Sequence, residues 1–249
     1  MTSPRLAGFF LLAAAVAALE AACRTGLIDR QSVLPPSEMV AAMIEALRQK
    51  QILLAVASTG LNVLAAALMA ILGGFAAGVT IRASRFLRNG IEPLLVSYYA
   101  VPTFIFYPVF VVLFGVGKLA IIAIAFCLGV VAMITATLTG LDAVPPVLMR
   151  TATVMRLGWL QRNGLIMLPA TLPHLFTGAR LAIAYAFIGV IASEFILSGE
   201  GLGYDIAYAY NNFDNRPMYG LMLLVLLSVA AINAALDAAD RHLRRKTGQ

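Results

Sequence analysis

LAIIAIAFCLGVVAMITATLTGL, residues 119–141, runs for 23 positions without an Asp, Glu, Lys or Arg, between Lys118 and Asp142. A bilayer core of about 30 Å needs roughly 20 consecutive, mostly apolar helical residues, so this stretch predicts a transmembrane helix. Working outward, the runs between Lys50 and Arg82 and between Glu92 and Lys118 are also free of charge, as is Pro217 through Leu236. Two more apolar stretches hold one acid each: Leu6 to Cys23 with Glu20, and about Gly178 to Leu197 with Glu194. Six spans are expected. Overall, 61% of the 249 residues are hydrophobic and 12% are charged, against about 25% charged in soluble domains. The mean hydropathy of +0.89 demands apolar surface facing lipid, which excludes a cytosolic enzyme.

With six spans both termini share one side, and basic residues choose it. On that side would lie Arg5, Arg82, Arg85, Arg88, Arg150, Arg156, Arg162, Arg180, Arg241, Arg244, Arg245 and Lys246, 12 in all. The other side holds six: Arg24, Arg30, Arg48, Lys50, Lys118 and Arg216. Both termini are therefore expected in the cytoplasm, in the plasma membrane. The net charge of +6 is then a topology signal, and nucleic acid is not expected as a partner. The lipid bilayer is. Arg5 before an alanine-rich run also fits a cleaved signal peptide. Residues 1–50 read as a first span plus an outer amphipathic helix, 51–241 as a five-helix core, and 242–249 as a basic tail. In the outer helix Ser37 is expected as the cap. Val40, Met43, Ile44 and Leu47 fall at i, i+3, i+4 and i+7, an apolar stripe suited to packing on the bundle or to docking.

Several patterns suggest chemistry that the residues do not support. Gly115-Val116-Gly117-Lys118 lacks the spacing and preceding strand of a phosphate loop and reads as an external turn. Gly199-Glu200-Gly201-Leu202-Gly203 follows a membrane helix, where glycines let the chain turn. His174 and His242 have no metal-ligand spacing, and Cys23 and Cys127 are too few for a disulfide framework. No cofactor and no catalytic residue is expected. Gly74-Phe75-Ala76-Ala77-Gly78, after Gly73, offers a small-residue face for a neighbouring helix, in the same chain or a second copy.

The longest inner connection, from Asp142 to about Thr177, contains Arg150-Thr-Ala-Thr-Val-Met-Arg-Leu-Gly158-Trp-Leu-Gln-Arg162. Val154, Met155, Leu157, Trp159 and Leu160, interleaved with Arg156 and Arg162, predict a short half-apolar helix at the membrane surface. Such a helix lies at the headgroups or enters a protein groove. Beyond it come Leu168-Pro169-x-x-x-Pro173 and Thr177-Gly178-x-Arg180, then Ala192-Ser193-Glu194 and Gly201-Leu202-Gly203-Tyr204. Leu34-Pro35-Pro36-Ser37-Glu38 stands after the first span. Together these motifs resemble the permease subunits of type I ABC importers, in the branch handling nitrate, sulfonates and taurine. Their loop motif begins Glu-Ala-Ala; here Arg150-Thr151-Ala152 or Ala152-Thr153-Val154 holds that place, so the leading Glu is missing.

The resemblance implies an all-α integral membrane fold of six transmembrane helices with a cytoplasmic coupling helix. It also implies an ABC ATPase subunit that hydrolyses ATP, a second permease copy, and an extracytoplasmic substrate-binding protein. Thr151, Ala152, Thr153, Met155, Arg156, Leu157, Gly158 and Trp159 would meet the ATPase. Trp159 alone reads equally as a membrane anchor. Polar groups in lipid are costly, so Glu194 with Ser193 is either a pathway gate or a hydrogen-bonded strut. Tyr98, Tyr99 and Thr103, near Pro102, either line the pathway or pack helices; Glu20 is expected to snorkel outward. The rival transporter class is an ion-coupled secondary carrier, which usually shows internal repeats and midplane charges.

Overall fold

The computed structural model describes residues 4–29, 32–98 and 101–247, and every regular element among them is helical. In chain order these are α1 (Pro4–Arg24), α2 (Pro36–Leu47), α3 (Lys50–Ala83), α4 (Arg85–Tyr98), a 3-10 turn (Thr103–Phe106) and α5 (Tyr107–Phe114). Then come α6 (Lys118–Asp142), α7 (Pro146–Val154), α8 (Trp159–Arg162), a π-helical segment (Asn163–Met167), α9 (Leu168–Leu197), α10 (Leu202–Asn211) and α11 (Asn215–Thr247). Among the described residues four helices are long and apolar enough to cross a membrane: Lys50–Ala83, Lys118–Asp142, Trp159–Leu197 and Asn215–Ala239. α4 and the 3-10/α5 pair, 102° apart, make a fifth if they count as one bent span. The run between Glu92 and Lys118 is thus no straight helix, and it breaks where Pro102 withholds a backbone donor.

The core is a layer in which α6 lies between α3 and α9, because glycines let the three backbones close. A Cβ on Gly74 would stand 2.7 Å from Met133 Cβ, and one on Gly78 would stand 2.7 Å from Thr137 Cβ. On the other face of α6, Gly129 approaches the Ala182 carbonyl, Gly178 approaches Ala136, and Gly189 sits 2.7 Å from the Ala125 Cα by the same measure. The small-residue face of α3 therefore packs within this chain. Ile121, Ile124, Ala125, Ala186 and Val190 fill the space between, all nearly inaccessible to solvent. Dispersion contacts at such close packing hold helices together where lipid removes the hydrophobic contrast.

Charged residues collect at the bundle ends. At one end Asp142, the last residue of α6, takes Arg82 Nε of α3 at 2.6 Å and Arg88 of α4 at 2.5 Å, and Arg88 also meets Glu92 at 3.0 Å. Arg180 of α9 pairs with Asp237 of α11. At the opposite end Lys118 meets Glu200 at 3.0 Å, and the turn before α6 uses Gly115 and Gly117 at φ +78° and +149°.

Three expectations need correction. Ser37 does not cap α2: Pro35 holds the cap position with Pro36 in the first turn. Glu20 of α1 does that work instead, accepting the Ser37 backbone N–H at 3.0 Å and the Ser37 hydroxyl at 2.7 Å, while Arg24 Nε donates to it at 2.6 Å. Glu20 thereby caps α2 from a side chain that stays 23% exposed. A carboxylate at a helix start satisfies orphan N–H groups and meets the positive end of the dipole. α2 then packs on α11, with Gly220 against Ala42 and Arg216 paired to Glu45 at 3.0 Å.

The second correction concerns the connection from Asp142 to about Thr177, whose latter half is helix. α8, the π-helical segment and α9 form one 39-residue apolar helix, Trp159–Leu197. Pro169, which has no N–H to donate, lies just after the π-helical segment Asn163–Met167, and that wider turn takes up the change of register. Third, the half-apolar helix expected around Val154–Leu160 is cut in two between α7 and α8.

Candidate functional site

The cut between α7 and α8 follows from helix-capping chemistry. α7 opens on Pro145 and Pro146, and Met155 is its C-cap. Arg156 then takes φ +51°, its N–H donates to the Thr153 carbonyl at 3.1 Å, and the Leu157 N–H donates to the Ala152 carbonyl at 3.0 Å. These are the paired bonds of a Schellman motif, with arginine where glycine is commonest. Gly158 is the N-cap of α8 at ψ 165°, and its N–H donates to Gln161 Oε1 at 3.1 Å, the returning half of a capping box. Within α7, the hydroxyls of Thr151 and Thr153 bond back to Val147 and Met149, and Ala152 is buried.

The outcome is a corner that presents large apolar side chains outward. Val154 is 83% exposed, Trp159 73% and Leu160 77%, with Met155 beside them. Along the chain these exposed apolar side chains alternate with Arg156 and Arg162. The corner lies at the end of the bundle that carries Arg82, Arg88 and Asp142, and the π-helical segment joins it to α9 without a loop.

A second constellation sits near the opposite end. Glu194, in the last turn of α9, is fully buried together with Ser193. Its Oε2 accepts the Thr59 hydroxyl at 2.8 Å and the Gly203 N–H at 3.1 Å, and its Oε1 accepts Asn62 Nδ2 at 3.2 Å. Thr59 in turn accepts the Leu202 N–H at 2.9 Å. The carboxylate thus ties the middle of the bundle to the N-terminus of α10. Gly201, at φ +107°, has its Cβ position 2.5 Å from the Glu194 Cδ, so only glycine fits. Burial pushes the Asp205 carboxyl in the first turn of α10 upward.

Of the other expected residues, Tyr98 and Thr103 lie close together, and the Tyr98 hydroxyl donates to the Cys127 carbonyl at 2.9 Å. Tyr99 lies outside the described residues. This pair is separate from the Glu194 knot. Sequence reasoning missed Thr59 and Asn62, although two polar residues three apart on one face of an otherwise apolar run were a legible signal.

Comparison with known proteins gives the family. The profile of the binding-protein-dependent transport system inner membrane component family matches residues 69–249. The nitrate import permease protein NrtB of Leptolyngbya laminosa is 28% identical over 171 residues, 69% of this chain and 60% of that one. The bicarbonate transport system permease protein CmpB of Synechococcus elongatus is 27% identical, covering 69% and 61%. The taurine transport system permease protein TauC of Escherichia coli is 24% identical over 73% and 66%. This chain therefore spans about three fifths of the length of the first two. In fold it is similar to a chain of the MetNI methionine ABC transporter in inward-facing conformations, with a TM-score of 0.68 at 18% identity over 77% of this chain and 95% of that one. A multi-pass membrane protein follows from the apolar helices and the family together, and the chain belongs to the binding-protein-dependent transport system inner membrane components.

Proposed function

We propose that this chain is the permease subunit of an ATP-driven ABC importer that forms the path for a small solute, nitrate-, sulfonate- or taurine-like. In this reading six helices, α1 and the bent α4/α5 pair included, cross the plasma membrane with both termini cytoplasmic. Two copies form the pore. A separate ATPase subunit hydrolyses ATP, and an extracytoplasmic binding protein delivers the solute. The names of the relatives support the solute class, and the distribution of basic residues supports the orientation.

The observation that carries the reading is the exposed apolar corner from Val154 to Leu160. Thr151, Ala152, Thr153, Met155, Arg156, Leu157, Gly158 and Trp159 form a handle that seats in a cleft of the ATPase. Because α8 continues into α9, a push on the handle moves α9 and the α6 packed on it. Rocking of that layer against the second copy alternates access between the two sides. Glu194 acts as a strut that fixes α10 to the bundle, and Tyr98 with Thr103 borders the path at the broken span.

Single cysteines from Thr151 to Leu160, in a background lacking Cys23 and Cys127, test this. Crosslinking to the co-expressed ATPase subunit is expected, with a yield that changes on ATP binding. Absence of any crosslink along the whole stretch refutes the handle, and uptake that survives deletion of the ATPase gene refutes the importer in favour of an ion-driven carrier.

A further inference from the structure

Beside the handle lies a cavity of about 660 Å³, walled by Phe75 and Val79 of α3, Leu141 of α6 and Leu175 of α9. Arg82 and Arg162 also line it, and no Asp or Glu does. Arg82 has a partner in Asp142 at 2.6 Å. Arg162 differs: its Nε is buried and donates to no acceptor among the described residues. A buried, unsatisfied donor on a charged group is costly, and a guanidinium is shaped for a phosphate.

Depth and wall chemistry narrow the occupant. The cavity opens at the end of the spans, where Arg82 and Ala83 close α3, Leu141 lies in the last turn of α6 and the long helix starts at Trp159, the level at which lipid headgroups sit. Free phosphate would leave the apolar walls uncovered. A lipid without net charge would leave the two guanidiniums with only Asp142 to balance them. Basic pockets between membrane helices on the cytoplasmic side take anionic headgroups, and the volume suits part of an acyl chain as well.

We propose that this cavity binds an anionic phospholipid, whose phosphate pairs with the Arg162 guanidinium in the cavity wall and whose acyl chain lies along Phe75, Val79, Leu141 and Leu175. The bound lipid braces the corner, because Trp159 and Leu160 belong to the same wall. The proposal rests on the orientation given above only for the leaflet that supplies the lipid.

The test is native mass spectrometry of the detergent-purified full chain with phosphatidylglycerol or phosphatidylcholine added. The wild type is expected to retain phosphatidylglycerol in preference to phosphatidylcholine. Arg162→Gln is expected to retain it about tenfold less, the worth of one charge-assisted hydrogen bond. Arg85→Gln, which removes an exposed inner-side charge, is expected to bind as the wild type does. Val79→Trp keeps both arginines and fills the acyl slot, so it too is expected to lose the lipid, and it decides the matter if Arg162→Gln does not fold. Equal retention by Arg162→Gln or Val79→Trp, equal retention of the two lipids by the wild type, or displacement by inorganic phosphate alone would each overturn the proposal. Binding in detergent is independent of orientation: labelling of Arg85→Cys by an external reagent would sink the topology and leave the site standing.

Discussion

The Glu194 knot allows the strut and the gate to be separated by two substitutions at one position. Glu194→Ala leaves the Gly203 N–H and Asn62 Nδ2 without an acceptor and the Thr59 hydroxyl without its partner, all in a buried site. At about 1–3 kcal/mol per orphaned group, with some recovered by local rearrangement, the loss is about 3–5 kcal/mol. Glu194→Gln is different. Its carbonyl oxygen can occupy the Oε2 position and accept both Thr59 and Gly203, since it has two lone pairs. Its amide nitrogen then faces Asn62, which turns over to present Oδ1. The cost falls to about 1 kcal/mol or less. Melting in detergent, read by a thiol-reactive dye on the fully buried Cys23, converts these at about 2–4 °C per kcal/mol for a chain of this size. Glu194→Ala is expected to melt about 6–20 °C lower and Glu194→Gln within a few degrees of the wild type. A strut also predicts unaltered uptake in Glu194→Gln. If that variant melts like the wild type yet carries no solute, the carboxylate serves the pathway and the strut reading fails.

Arg156 sits at φ +51°, where glycine is unstrained; Arg156→Gly is expected to raise the melting temperature, and a fall would mean that its side chain holds the corner in place. Gly178→Val drives a side chain into Ala136 and Met133 and is expected to abolish the folded α6–α9 pair, read as loss of the monodisperse peak in size-exclusion chromatography. Burial raises the Asp205 carboxyl above its usual value near 3.8, so the folded state favours the protonated form and loses stability as pH climbs from that value through the raised one. Asp205→Asn is accordingly expected to melt higher than the wild type at neutral pH, with the advantage vanishing in acid; equal melting at all pH values would refute this.

Much of the bundle was legible because membrane spans are written in one variable, the length of runs without charge. Residues 119–141 became α6 almost residue for residue, and the run after Lys50 became α3. The same variable misleads where a helix outruns the membrane: a span of about 20 residues puts the start of the helix that ends at Leu197 near Gly178, yet it begins 18 residues before Thr177, at Trp159, with Pro169 and Pro173 inside it. The reverse error came at Met155–Gly158, where apolar spacing suggested continuous helix. There the deciding feature was a cap built on an arginine in a left-handed conformation, for which arginine gives no local signal.

The buried polar residues show a different limit. Glu194 announced itself, since a lone acid in an apolar run must face something other than lipid. Its partners are harder to single out: Thr59 and Asn62 lie 135 and 132 positions away, and although their spacing marks a polar face, a threonine in a membrane helix often bonds back to its own backbone, as Thr80 and Thr177 do here. What distinguishes Thr59 is that its hydroxyl is spent twice, donating to Glu194 and accepting from Leu202, which requires the glycines at 201 and 203 to bring α10 within reach. Thr59→Val keeps shape and removes both bonds, so it should lower the melting temperature by about 3–8 °C. In a double-mutant cycle its effect should shrink once Glu194 is already alanine, because the acceptor it served has gone. Strict additivity of the two substitutions would show that the threonine stabilises α10 independently of the acid, and the pair would then be neighbours rather than one device.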